Sequence, residues 1–429
     1  MCEEIVSGLA SFIEKSPTAF HAVENLGAIL HDNGYQRLEE GEKWEIRPGG
    51  KYYVTRNDSS IIAVNIGEEL EDYCFKIAAS HSDSPTFKIK ENAEIQVKEK
   101  YMKLNTEGYG GMLCAAWFDR PLSVAGRVIV RDGEGYASRL LKIDRDILLI
   151  PNLAIHMNRE VNKGYAYNNQ VDMLPLFGGS GCRKGDFKKL IAEELNVEEE
   201  TVYGMDLYLY NRMKPSVWGA DNEFISCPQL DDLQCAYTSL LGFLAGTDGR
   251  AVNVFACFDN EEVGSGTKQG AASTFLRDTL YRVNLCLKKG EEEFFRAASK
   301  SFMLSCDNAH AVHPNHPEKT DEGNCVYINE GIVVKSHAGQ KYTSDAVSIA
   351  VFRGICEEAG VPLQFFANRS DMAGGSTLGN IAMSQVSMNS IDIGLPQLAM
   401  HSSYETAGVK DSCYMVRASG RFFGREWMK

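Results

Sequence analysis

The sequence predicts an α/β protein: a mixed sheet with helices on both faces, interrupted by an inserted β-rich domain. Three observations carry this. Apolar strand-like runs alternate with helical patterns up to about residue 92 and again from about 226, the rhythm of a parallel or mixed sheet covered by helices. The block 93–225 is strand-rich and lacks that rhythm. Finally, several of the apolar runs stop at His, Asp or Glu, and open α/β sheets bind ligands just beyond the carboxyl ends of their strands.

The elements follow in order. Residues 3–15 have helical spacing (Ile5, Leu9, Phe12, Ile13) and stop at Ser16-Pro17. Thr18 precedes a second helix (Phe20, Val23, Leu26, Ile29, Leu30) closed by Asn33-Gly34, an amide-glycine stop signal. Residues 51–56 and 61–66 form a hairpin around Asn57-Asp58-Ser59-Ser60. The run Phe75-Lys76-Ile77-Ala78 is the first strand to end in a metal-ligand candidate. In the inserted block, strands are expected at 94–97, 124–130, 147–150 and 203–210, a helix at 187–195, and a polar Gly/Asn-rich loop at 160–184. After it come a helix at 233–245, the strand 252–257, a helix near 272–298 and the strand 302–306. Strands near 326–336, a helix at 344–359, a strand at 362–366, a strand leading to His401 and a helix at 411–424 complete the chain.

At 429 residues, two domains are expected. The net charge of −14 disfavours a nucleic-acid partner, and no apolar run approaches the roughly 18 residues of a membrane span. The 12 cysteines contain no Cys-x-x-Cys pair, and several lie in apolar strands. They are expected to be free thiols in a reducing compartment. The acidic start Met1-Cys2-Glu3-Glu4-Ile5 lacks the apolar stretch of a secretory signal. The expected location is the cytoplasm.

The strand ends carry the chemistry. Ser80-His81-Ser82-Asp83 follows the first strand, Asp259-Asn260-Glu261-Glu262 the second, and Ser305-Cys306-Asp307 ends a third, while Leu230-Asp231-Asp232-Leu233 opens a helix and Met400-His401 lies near the C-terminus. A two-metal hydrolase needs a bridging carboxylate, His and carboxylate ligands on each side, and an unligated carboxylate to take a proton from the attacking water. Asp231 or Asp232 can bridge. Glu261 and Glu262 are adjacent at a strand end, so one can bind metal while the other faces water. Asp83 can orient the His81 ring. Each alone has a bland reading: a strand-end His is commonly a surface residue, Asp231-Asp232 could cap a helix, and Asp307 could start a turn. Their coincidence at five separate termini favours the metal site. The tract His310-Ala311-Val312-His313-Pro314-Asn315-His316 reads as a loop rather than a separate metal site. Gly374-Gly375-Ser376-Thr377-Leu378-Gly379 lacks the Lys of a phosphate loop, and its glycines suit close approach of a substrate. No Gly-x-Ser-x-Gly elbow or recognisable nucleophilic Cys is present. Lys341 and Arg369 lie near pocket segments, with no pattern placing either inside.

The order of these residues resembles the dinuclear zinc aminopeptidases. More closely, Ser80-His81-Ser82-Asp83-Ser84-Pro85, Trp117-Phe118-Asp119-Arg120, Leu153-Ala154-Ile155-His156, Phe258-Asp259-Asn260-Glu261-Glu262-Val263-Gly264, Asp307-Asn308-Ala309-His310 and Pro396-Gln397-Leu398-Ala399-Met400-His401 resemble the aspartyl aminopeptidase and vacuolar aminopeptidase I family. The resemblance runs from about residue 16 to 427. It implies a zinc-peptidase-like catalytic domain from 1–92 and 226–429, with 93–225 as an inserted dimerisation domain. It also implies two Zn2+ ions per subunit, with Co2+ or Mn2+ able to substitute. His81, Asp231 and Asp307 would hold one ion and Asp231, Glu262 and His401 the other, with Glu261 as general base and Asp83 supporting His81. His156 would bind substrate in a neighbouring subunit's site or serve as an alternative metal ligand. The implied assembly is a dodecamer built from dimers. Asp232, Gln229 and Pro121 depart from the family pattern without removing a ligand.

The expected activity is removal of the N-terminal residue from peptides, acidic or neutral residues being preferred. The rivals are another two-metal amide hydrolase, such as a deacylase or carboxypeptidase, and an inactive metal-stabilised assembly protein. The presence of Glu261 weighs against the last, because a structural site needs no unligated base.

Overall fold

The nine strands of the largest sheet run in the order Gln36–Leu38, Lys51–Arg56, Ser60–Ile66, Val252–Phe258, Phe75–His81, Phe302–Cys306, Asn389–Gly394, Ile332–Lys335, Leu363–Phe366. The structure is a computed structural model and describes residues 2–246 and 248–424. The four strands from Val252–Phe258 to Asn389–Gly394 are parallel, and antiparallel pairings flank them, so the sheet is mixed. Both of its faces are buried. Alternate residues face opposite ways along a strand: Ala78, Phe255, Cys257 and Leu304 join one apolar cluster, and Ile77, Ala79, Val254, Ala256 and Met303 another. The helices Cys2–Lys15, Ala19–Asp32, Leu230–Ala245, Ala346–Ala359 and Val409–Phe423 cover the first face, and Phe275–Cys286 and Glu291–Ser299 the second.

The chain divides into two compact units. One comprises residues 1–83, 215–400 and 405–429; the other comprises 84–214 and 401–404. These limits differ from the expected 93–225 block at both ends. The change of texture near residue 92 falls inside the continuous strand Thr86–Val97, which pairs along Tyr101–Tyr109 within the second unit. Ser216–Trp218 pairs with Phe224–Cys227, which in turn pairs with Glu405–Gly408, all in the first unit. The second unit is a six-stranded antiparallel sheet whose core includes Phe187 and Ile191 of the helix Asp186–Leu195.

Other differences have local causes. The helix expected over 272–298 is two helices, Phe275–Cys286 and Glu291–Ser299, because Lys288 takes a φ of +60° and Gly290 caps the second. The expected strand at 147–150 reduces to isolated bridges. The strand before His401 ends at Gly394; the chain then enters a separate five-stranded sheet through Pro396–Leu398. The 51–66 hairpin turns with positive φ at both Asn57 and Asp58, the geometry that matches strand twist.

The free-thiol expectation fails at one pair: Cys2 and Cys413 are joined by a disulfide, and the other ten cysteines are free. The first helix packs on the last, which brings the two Cα atoms within 5.7 Å, a span a disulfide bridges. A separation of 411 residues leaves no spacing signal. No helix among the described residues is long and apolar enough to cross a membrane.

Candidate metal centre

Parallel pairing decides what meets at the sheet edge. Phe258 lies opposite His81 and Ser305 opposite Ala79, so three neighbouring strands finish together. They deliver His81, the 259–262 turn and Asp307. The helix Leu230–Ala245 packs on the His81 strand. Asp231 and Asp232 have non-helical dihedrals at its start, and Gln229 occupies the N-cap without a side-chain capping bond. Asn260 (φ +63°) and Gly264 (φ +96°) bracket a tight turn that carries Glu261 and Glu262.

His81, Asp231, Asp232 and Asp307 are all buried, and each offers a ligand atom within 4.8 Å of the others; His81, Glu261 and Glu262 form a second such group. The His81 ring is held from one side: Nδ1 donates to the Asp83 carbonyl at 3.1 Å, with Asp83 Oδ1 at 3.4 Å. That leaves Nε2 facing Asp231 Oδ1 at 3.5 Å. Fixing the tautomer through the far nitrogen is how ligating imidazoles are oriented. Asp83 has a second task. Its two oxygens accept the backbone N–H groups of Glu261 and Glu262, each at 3.1 Å, so one carboxylate sets both the imidazole and the Glu pair.

The electrostatics are those of crowded buried acids. Burial, then the Asp231 carboxylate, pushes Glu262 well above the usual range. Burial pushes Glu261 up to about 8; His81 opposes this, while Asp307, Asp83 and Asp231 add to it. Asp232 is raised by burial, with Asp307 and Asp231 adding. Burial alone would lower His81, but Asp232, Asp231, Asp83 and Glu261 outweigh it and hold the ring well above its ordinary value. Lys335, which the sequence reading missed, is the buried ammonium here. Its Nζ donates to the Asp307 carbonyl at 2.7 Å and lies 3.4 Å from Asp307 Oδ2. Six carboxylates, Asp83 included, around one imidazole and one ammonium are mutually repulsive without further positive charge. Asp232 Oδ1 meets no hydrogen-bond donor. Oxygen donors with an imidazole nitrogen suit zinc or another borderline divalent cation, so the residues fit the group.

A cavity of about 250 Å³ is lined in part by His310, His313, Lys319, Asn368, Arg369 and Gln397. Gln397 Oε1 accepts from Asn308, the neighbour of Asp307. The His310–His316 tract is largely loop, and no further metal-ligating group occurs in it among the described residues. Arg369 lines the cavity but is paired with Asp371, while Lys341 instead donates to the Gly374 carbonyl. A Cβ at Gly374 would lie 2.1 Å from the Asn368 side-chain amide.

His401 has a φ of +64° and lies in 401–404, the short segment that clusters with the second unit. His156 is exposed in a turn of the second unit. The Leu153-Ala154-Ile155 run before it is not packed: Leu153 is 55% and Ile155 49% exposed, with Met157 at 75%.

Residues 12–423 match the family model described as aminopeptidase I zinc metalloprotease (M18). A probable M18 family aminopeptidase 2 of Clostridium novyi is 48% identical over 422 residues, covering 97% of each chain. Among solved structures, a chain of the Ape4 and Nbr1 complex superposes with a TM-score of 0.94 at 34% identity, covering 98% of this chain and 86% of that one. The mApe1 dodecamer of S. cerevisiae shares the fold, with a TM-score of 0.85 at 24% identity over 98% of this chain and 96% of that one.

Proposed function

The chain belongs to the M18 family of zinc metalloproteases and is a metalloaminopeptidase; from that premise we propose that it works with two zinc ions and Glu261 as its base. His81, Asp231 and Asp307 would hold one ion. Asp231, Glu262 and His401 would hold the other, with Asp231 shared, a division that rests on the family resemblance. Zinc at such a site supplies Lewis acidity toward the scissile carbonyl and a lowered pKa for the attacking water. Glu261 takes the proton of that water and returns it to the leaving amine. Asp83 holds the Glu261 backbone in place for that transfer. The observation that carries the reading is the buried group of His81, Asp231, Asp232 and Asp307 beside Glu261 and Glu262.

The cavity beside Gln397 would take the side chain of the N-terminal residue. Acidic or neutral residues are proposed, and the His310, His313 and Lys319 lining supports the acidic choice. A homo-oligomer built from dimers is proposed from the exposed apolar turn around His156 and from the assembly of the similarly folded mApe1. In that assembly His156 would reach a neighbour's substrate. A cytoplasmic location is proposed from the ten free cysteines, with the Cys2–Cys413 bond standing against it. A panel of aminoacyl p-nitroanilides against N-acyl amino acids, run on zinc-reloaded protein, tests the reading. Hydrolysis of aminoacyl substrates, fastest for Asp or Glu, is expected. Turnover of the N-acyl compounds alone would favour a deacylase.

A further inference from the structure

Two of the proposed ligands, Asp231 and Asp307, come from elements with no covalent reason to keep a fixed spacing: one starts a helix and the other follows a strand. A chain of buried amides and one carboxylate joins them. Glu405 is 2% exposed, Gln397 1% and Asn308 3%. The backbone N–H of Asp231 donates to Glu405 Oε2 at 3.0 Å. Gln397 Nε2 donates to Glu405 Oε1 at 3.4 Å. Asn308 Nδ2 donates to Gln397 Oε1 at 2.7 Å, and lies 3.1 Å from both the Leu230 carbonyl and Gln234 Oε1. Asn308 directly follows Asp307, and Lys335 ties down both of their carbonyls.

The sense of this chain is set at one end. A carboxylate only accepts, so Glu405 obliges Gln397 to present its NH2 group there, which leaves the Gln397 oxygen for Asn308. Asn308 must then point its own NH2 group toward Gln397 and the start of the helix, with its oxygen left for the Leu395 N–H and the Cys235 thiol. One acceptor-only group therefore orders every amide between the two ligands.

Resting on the two-zinc reading above, we propose that Glu405 and Asn308, linked through Gln397, are positioning residues that set the separation of Asp231 and Asp307 and so the affinity for zinc. Partners of this kind, one step removed from a metal, change its affinity by about 10–100-fold when altered.

The test is zinc affinity, measured by competition with a chelator of known strength on the full chain, alongside the melting temperature of the metal-free protein. E405Q keeps size and shape but places an NH2 group against either the Gln397 NH2 or the Asp231 N–H. We expect zinc binding to weaken about 10–100-fold. The double change Q397E with E405Q restores the pattern. The new carboxylate at 397 accepts from Asn308 and from the new amide at 405, whose oxygen takes the Asp231 N–H. Zinc affinity should return to within about threefold of wild type, a recovery that a merely space-filling role would not produce. Should E405Q fail to fold, Asn308→Ala carries the same expectation, since it leaves Glu405 and Asp231 in place. A folded E405Q that binds zinc as tightly as a zinc-binding wild type, or a double variant no better than the single, overturns this inference alone. A wild-type chain that binds no zinc overturns the parent reading with it.

Discussion

The two units break the ordinary rule of burial in opposite directions. The first hides charge: His81, Asp231, Asp232, Asp307 and Lys335 are all buried. The second shows grease: Leu153, Ile155, Met157 and Val171 are about half to three-quarters exposed. Buried charge costs several kcal/mol per ion unless something pairs it. A cluster of exposed apolar side chains marks a surface that a partner covers. The first is the place where the proposed cations would offset charge, and the second is the surface proposed above for a neighbouring subunit.

The sharpest way to break that contrast is inside the charged cluster. Glu261→Gln should cut kcat by about 10²–10⁴-fold, with metal content, read by elemental analysis, near wild type. Glu262→Gln should instead lower zinc occupancy. If Glu261→Gln lost metal and kept its activity per bound ion, the two glutamates would have to exchange roles.

The next effect lies in the other unit. If His156 acts on a neighbour's substrate, His156→Phe should lower kcat by about 10²–10³-fold, the scale of losing one hydrogen-bond donor to the developing negative charge, at unchanged metal content. Mixed with Glu261→Gln chains, it should regain activity, because some sites then combine an intact His156 with an intact Glu261. No recovery in proven mixed assemblies would confine His156 to its own subunit or remove it from catalysis.

Asp83→Asn ranks third. The amide retains one acceptor for the two N–H groups of Glu261 and Glu262, so a loss of about 10–100-fold in activity or zinc affinity is expected. Unchanged values would mean the turn at Asn260 and Gly264 holds the glutamates unaided. The smallest effect on stability belongs to Met157→Glu. Its side chain is exposed, so the stability of the isolated chain should change by no more than about 0.5 kcal/mol, while light scattering should report smaller assemblies. Intact assemblies would move the covered surface elsewhere.

How much of this was legible in the sequence depends on distance along the chain. His81, Glu261, Glu262 and Asp307 could be found because each ends an apolar run with a recognisable period, and parallel pairing then brings such ends together. Asp231 was legible beside its helix, although only the family resemblance distinguished it from Asp232. Lys335 and Glu405 gave no signal, and Gln397 lay in a family-like stretch that assigned it no role. Each is an ordinary polar residue whose partner lies in another element, as with the separation of 174 between Asp231 and Glu405. The route to His401 was misjudged because Gly394 ends one sheet's strand while Pro396 starts another's, a switch that alternation of apolar residues does not record. The start of the second unit was missed for the converse reason: the strand Thr86–Val97 is continuous, and composition changes within it at Ala93.

The Cys2–Cys413 bond also changes what kind of object the chain is. With the bond closed, residues 2–413 form a covalent ring that carries both units and every proposed ligand. A protease that nicks the exposed turn near His156 opens the ring but separates nothing. On a denaturing gel without reductant, the nicked protein would run as one species of unchanged mass. With reductant it would fall into two pieces. Damage to that exposed turn would thus stay hidden until the two ends were uncoupled.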